Sequence, residues 1–374
     1  MKNLLVGNGI NIQFDHFNYT TQAIVLRILE ELASPDFPTN IIVDEPILLK
    51  HYIGKLFLFA RKAIDGAFNS STTCTAEKVA LVDFIERYKD KKNSLRITDI
   101  GFEDYYLIHD LVCHKYGITN PEQYTVRESL KMAYLYSIYN HGKLNLLHRL
   151  YSDSFKEFLE KFDNIFSTNY DSSIESAIGK NVYHIHGHFD KMSEVYNPES
   201  FRNHMHDAPL SGISIDHGFS YLYSTALSTY CGDYKQYQIK QHILANDAIE
   251  KFANGYLSDT AVKANVDSWE TDSNYLVVNL SNAIKLKIAN PDLRFQEDYP
   301  IKELSEISGR LIILGLSPYN DYHLFNIIDD ADLDQCIYYF FCSTERDKVE
   351  SIFPKLNASG KLKFESVQEV WRSL

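Results

Sequence analysis

Cysteine is scarce and poorly spaced for chemistry. Cys74, Cys113, Cys231, Cys336 and Cys342 are scattered over 374 residues, and no two stand at Cys-x-x-Cys spacing. That argues against a disulfide framework and against a cysteine-based zinc site. Long apolar runs are also missing: none approaches the ~20 residues that a helix needs to cross a bilayer. Met1-Lys2-Asn3 leads straight into strand-like residues rather than a signal peptide. These absences predict a reduced, cytoplasmic protein with no membrane association. Positive charge is in deficit, 37 Lys and Arg against 50 Asp and Glu for a formal net charge of -13. A broad electrostatic grip on nucleic acid is therefore not expected, although a local anion site built from backbone N–H groups stays open. No internal repeat or low-complexity tract is visible.

What is present is enough hydrophobic sequence, 45% of the residues, for a large core in two or three folding units. Aromatics are abundant, with 26 Tyr and 22 Phe, a content that buried faces or oligomer interfaces explain as readily as ligand stacking.

The stretch Asn164 to Asp190 organises the rest. Ile165-Phe166-Ser167-Thr168 has the length and composition of a strand. It stops at Asn169-Tyr170-Asp171, a helical pattern follows from Ser173 to Ile178 with Gly179 as its stop, and Val182 to His186 reads as a second strand running into Gly187. Polar residues thus stand just past the carboxyl end of each strand, the edge at which open parallel sheets bind ligands.

The same grammar appears at both ends of the chain. Leu4-Leu5-Val6 enters Gly7-Asn8-Gly9-Ile10-Asn11, a Gly-x-Gly turn of the kind that lets a backbone approach a pyrophosphate. The third glycine of the usual dinucleotide fingerprint is missing, because Ile12 occupies its place, and no acidic residue follows at the expected distance. Leu311 to Leu314 leads into Gly315-Leu316-Ser317 and a helix over Tyr322 to Ile328. Ile337 to Phe341 and Leu362 to Phe364 are strands, separated by a helix at Asp347 to Phe353 and followed by a closing helix from Val367.

Between these segments the periodicity is helical. Thr21 to Leu32, Pro46 to Ala63, Ala76 to Tyr88, Glu128 to Tyr139 and Leu144 to Phe162 carry apolar residues at three- and four-residue steps, as do Ser220 to Tyr230 and Tyr234 to Ala253. The predicted fold is α/β, a Rossmann-like parallel sheet with large helical insertions. The core takes residues 1–19, 162–190 and 309–374. Residues 20–161 form one helical insertion and 191–308 a second, mostly helical one.

Several chemistries can be weighed on the residues themselves. A serine nucleophile elbow at Ser317 fails, because Tyr319 stands where its second glycine belongs and Pro318 disfavours the turn. His184, His186 and His188, with Asp190, keep a metal-dependent hydrolase open, since alternation along a strand would put His184 and His186 on one face. The dinuclear His-x-His-x-Asp pattern, however, wants a carboxylate where His188 stands. His204 and His206, separated by Met205, read as exposed loop histidines rather than a metal pair.

Four motifs together carry a resemblance. Gly7-Asn8-Gly9-Ile10-Asn11 resembles the Gly-Ala-Gly-Ile-Ser loop of the sirtuin-like family. Ser167-Thr168-Asn169-Tyr170-Asp171 is similar to the Thr-Thr-Asn-Tyr-Asp segment of its bacterial antiphage-defence branch. Ile185-His186-Gly187 resembles that branch's hydrophobic-His-Gly motif, and Leu314 to Ser317 with Asn320-Asp321 resembles its late Val-Gly-Phe-Ser…Asp segment. The opening loop is also similar to abortive-infection proteins of the AbiH type. The motifs fall in family order and cover about a third of the chain.

The resemblance implies a Rossmann-like NAD-binding core whose members either deacylate lysine with NAD or hydrolyse NAD to nicotinamide and ADP-ribose. The cysteine pairs of the deacylase zinc module are absent here, and the Arg-containing segment after the first glycine loop is not recognisable. The implied activity is therefore NAD hydrolysis in a defence system, with no metal. In the implied site Asn169 orients water or a ribose hydroxyl, and His186 acts as general base. Asp171 assists at the carboxamide or the ribose. The backbone of Gly7, Asn8, Gly9, Ile10 and Asn11 cradles the pyrophosphate, Thr168, Tyr170 and Gly187 line the site, and Gly315 and Ser317 face the adenosine. The family further implies homo-oligomers and, for some members, a HerA-type ATPase or a phage-derived trigger. A non-catalytic nucleotide-binding module that regulates a partner is the remaining alternative.

Overall fold

β1 (Lys2–Val6) runs through the middle of a six-stranded sheet, with β2 (Asn164–Ser167) and β3 (Tyr183–His184) on one side. β4 (Ser308–Leu314), β5 (Asp332–Phe340) and β6 (Leu362–Ser366) lie on the other, giving the order β3-β2-β1-β4-β5-β6. Every pairing is parallel. A parallel sheet buries both faces beneath its crossover helices, which is why Leu4, Leu5 and Val6 are fully buried although they are consecutive. Each such side chain contributes roughly 1.5–3 kcal/mol on burial. The mixed α/β, Rossmann-like fold with helical insertions is thus the observed architecture. The computed structural model describes residues 1–205, 215–230, 232–296, 299–319 and 321–374. His206, Cys231 and Asn320 lie outside the described residues.

The chain divides into two units. The first comprises Met1–His188, Leu227–Gln236 and Pro300–Leu374, so the helices between residues 20 and 161 cluster with the sheet. The second comprises Phe189–Ala226 and Tyr237–Tyr299. It holds small apolar clusters around Phe201, Ile249 and Ala283 and around Ala253, Val266 and Ile284.

Three segments read as regular elements take another form in the structure. Leu144 to Phe162 is broken into a 3₁₀ segment, Leu144–Leu150, and a helix, Asp153–Glu160. Tyr151 is extended, and the Ser152 hydroxyl caps the second helix by accepting from the Phe155 N–H at 3.1 Å. β3 stops at His184 rather than His186, because the Gly187 N–H folds back to the His184 carbonyl at 3.2 Å and Gly187 adopts φ 82°. Ser220 to Tyr230 is not a helix beyond the 3₁₀ segment His217–Tyr223. The Thr225 and Leu227 N–H groups donate instead to the distant carbonyls of Lys191 and His186.

The loops after β1 and β4 touch backbone to backbone. Gly7 N–H donates to the Leu314 carbonyl at 3.1 Å and Gly9 N–H to the Gly315 carbonyl at 2.9 Å. A Cβ on Gly315, at φ +72°, would lie 2.9 Å from the Gly9 Cα. Gly315→Ala is expected to cost about 1–3 kcal/mol from the backbone conformation alone, with the clash added to that. Urea unfolding beside Gly117→Ala checks this, since Gly117 shares the positive φ of +68° but has open space around it. Equal losses in the two variants would show that the contact between the loops carries no energy.

Candidate functional site

The direction of sheet growth reverses at β1, between β2 and β4, and a crevice is expected outside the carboxyl ends of the strands at such a switch point. A cavity of about 730 Å³ lies there, within the usual size range of small-molecule pockets. Of the residues identified from sequence, Asn8, Gly9, Asn11, Thr168, Asn169, Tyr170, Asp171, His186, Gly315 and Ser317 line it. Gly7, Ile10 and Gly187 do not. Another hollow, of about 640 Å³, lies beside Val79, Val82 and Lys348 and collects none of the residues identified from sequence.

The turn after β2 is held mainly through its backbone. Asn169 N–H donates to Ser167 Oγ at 3.0 Å, and the Asn169 carbonyl accepts from His184 Nδ1 at 2.9 Å. The Asn169 amide nitrogen reaches the Gly7 carbonyl at 3.3 Å. Asp171 is buried, accepting from the Ser173 N–H at 3.0 Å and from the Asn11 amide at 3.3 Å. The Tyr170 hydroxyl donates to the Leu227 carbonyl at 3.0 Å, and burial pushes its pKa up.

The glycine loop does something other than present a row of amides. The N–H groups of Gly7, Gly9 and Ile10 donate to the carbonyls of Leu314, Gly315 and Gly7. These three N–H groups are committed within the protein, and the side-chain amides of Asn8 and Asn11 donate to the Tyr19 carbonyl and to Asp171. For Gly7, Gly9 and Ile10 the expected cradle of backbone amides meets N–H groups already engaged in the protein. The glycines are needed so that the two loops can meet.

His186 is 2% exposed, with its Nε2 3.2 Å from His323 Nε2 and 3.9 Å from Asp321 Oδ1. Burial first, then the Lys235 ammonium and His323, push the His186 pKa well below the ordinary imidazole value. His184 does not accompany it. His184 Nε2 meets Glu175 Oε1 at 2.6 Å, and its ring lies 4.1 Å from that of His188, centroid to centroid. The strand ends before its alternation can align His184 with His186, so the histidine set required by the metal-hydrolase reading is divided between two places.

Sequence reasoning missed the charges in the cavity. Lys235, 1% exposed in the first turn of the helix Asp233–Ser258, has its Nζ 2.7 Å from Glu103 Oε1 on the helix Phe102–Tyr116. Burial lowers the Lys235 pKa, but the Glu103 and Asp321 carboxyls outweigh it and hold the net value up. Arg87 is forked onto Asp104 at 2.8 and 2.7 Å. The two cations of the cavity wall are thus both paired with acids. No strand end announces Lys235 or Glu103, and only a long-range contact brings them to the sheet edge.

Asp321 is pushed up from 3.8 to about 7, by burial first, with Lys235 opposing and Glu103 reinforcing the shift. The folded state therefore holds a proton that the unfolded chain releases near pH 4, so stability falls as pH rises from about 4 to about 7 and levels off above. Asp321→Asn is expected to gain stability relative to the parent protein between about pH 5 and about pH 8. Urea unfolding at both values checks it, and identical pH responses in the two proteins would refute the assignment.

No family model matches the chain, and comparison with curated proteins and with solved structures finds no match either. No helix among the described residues is long and apolar enough to cross a membrane.

Proposed function

We propose that the chain is an NAD glycohydrolase that cleaves NAD to nicotinamide and ADP-ribose, in the manner of the sirtuin-like defence proteins its motifs resemble. The observation that carries this reading is the convergence of Asn169, Asp171 and His186 with Asn8, Gly9, Gly315 and Ser317 on one cavity at the switch point of a Rossmann-like sheet.

The chemistry asks little covalent work of the protein. The bond between ribose C1′ and the nicotinamide nitrogen breaks, and its electron pair leaves with nicotinamide. A water oxygen then bonds to C1′ and gives up a proton. Asn169 orients that water or a ribose hydroxyl, and His186 takes the proton. Asp171, held by Asn11 and the Ser173 N–H, fixes the Asn11 side chain against the cavity. The resemblance extends the proposal to a defence effector that depletes NAD as a homo-oligomer, beside a HerA-type ATPase or on a phage-derived trigger.

The test is chromatographic. Purified protein is incubated with NAD, with and without a candidate partner, and nicotinamide and ADP-ribose are quantified. Release of both in equal amounts supports the reading. Tight NAD binding without turnover under every condition would replace it with the non-catalytic binding module.

A further inference from the structure

Away from the His186 pair, the turn at Gly187 folds His188 back beside His184, opposite Glu175 on the helix Ser173–Ile178. One ligand atom from each of Glu175, His184 and His188 lies within 4.8 Å of the other two. We propose that these three residues form a divalent transition-metal site, with zinc the ion best suited to it. Nothing in the NAD hydrolase reading requires this site, and it departs from the sequence expectation of a metal-free protein.

Three observations carry the proposal. The donor set is two imidazoles and one carboxylate, borderline nitrogen ligands plus a hard oxygen, which zinc takes with a fourth position left for water. The His184 Nδ1 faces the Asn169 carbonyl at 2.9 Å, and a carbonyl only accepts, so Nδ1 donates. Nε2, turned toward Glu175 Oε1 at 2.6 Å, is the ring atom left to face an ion. A ligating histidine that donates its other ring N–H to a backbone carbonyl is the usual outer-shell support of a metal site. Finally, Glu175 Oε2 is a buried atom with no hydrogen-bond partner among the described residues, although the other oxygen of the same carboxylate is engaged. A buried unpaired carboxylate oxygen is costly, and a cation would satisfy it. The ion would brace the end of β3 against the helix Ser173–Ile178 and, through His184, hold the backbone of Asn169.

The experiment reads metal and not turnover, so it stands whether or not the chain hydrolyses NAD. The full chain is stripped with chelator, loaded with Zn²⁺ or Co²⁺ alone, freed of excess by gel filtration and analysed for bound metal. Expected are one equivalent per chain and, for cobalt, the visible absorption of a low-coordinate nitrogen and oxygen site. Glu175→Gln and His188→Ala, each folded by circular dichroism, are expected to lose both signals. His188→Gln is the fallback if the alanine variant does not fold. Cys74→Ser/Cys342→Ser, which removes the exposed thiols among the described residues, is expected to keep both signals. Sub-stoichiometric metal on the folded parent protein would overturn the proposal and leave a histidine–glutamate ion pair in its place. Undiminished binding in Glu175→Gln and the His188 variant would also overturn it.

Discussion

Asn169→Ala is expected to lower the rate of nicotinamide release by about 10²–10³-fold, the usual effect of removing one preorganised polar group from a transition state. The turn should survive the change, because its shape is held by backbone groups: Asn169 N–H on Ser167 Oγ and the Asn169 carbonyl on His184. Only the 3.3 Å contact from the side-chain amide to the Gly7 carbonyl is lost. If Asn169 works chiefly on the departing ribose, kcat falls while KM changes little. His186→Ala is expected to cost about 10²–10⁴-fold, the range for a general base. Steady-state kinetics by chromatography checks both. Turnover at the parent rate in either variant would remove that residue from the mechanism while leaving the activity itself intact.

Lys235→Met is expected to destabilise the protein by about 3–5 kcal/mol, the cost of leaving a buried charge without its partner. Lys235 is enclosed, its Nζ 2.7 Å from Glu103, and Asp321 adds a second acid to the same surroundings. Methionine keeps most of the volume and removes the cation. The Lys235→Met/Glu103→Gln double variant is expected to recover much of the loss, since a buried pair replaced as a unit costs far less than a pair broken in half. Urea unfolding of the three proteins checks the cycle. A single variant within about 1 kcal/mol of the parent would show that the pair behaves like an exposed one.

Where local signals were strong, the fold could be read directly from the chain. Apolar runs at Leu4, Ile165 and Leu311 became β1, β2 and β4, and Ser173 to Ile178 with Gly179 became a capped helix, Gly179 at φ 66°. The helix Phe102–Tyr116 escaped notice for the opposite reason. Every residue from Asp104 to Cys113 is buried, so no polar face marks its period. At β3 a local signal misled, because the strand-like run extends through Ile185 and His186 whereas the Gly187 N–H, folding back to the His184 carbonyl, ends the strand at His184.

Strands β1, β2 and β4, the glycine turns behind them and the edge at which Asn169, His186, Gly315 and Ser317 meet were legible from local sequence, because a strand and its terminating turn are encoded by neighbours along the chain. Tertiary structure alone decided which groups share a charge, a proton or a hydrogen bond. It turned the glycine amides from ligand donors into contacts between two loops, sent His186 to His323 and His184 to Glu175, and brought Lys235 across 132 residues to Glu103. The physical reason is that electrostatic and hydrogen-bond partners are set by distance in space, and crossover connections make that distance independent of separation along the chain.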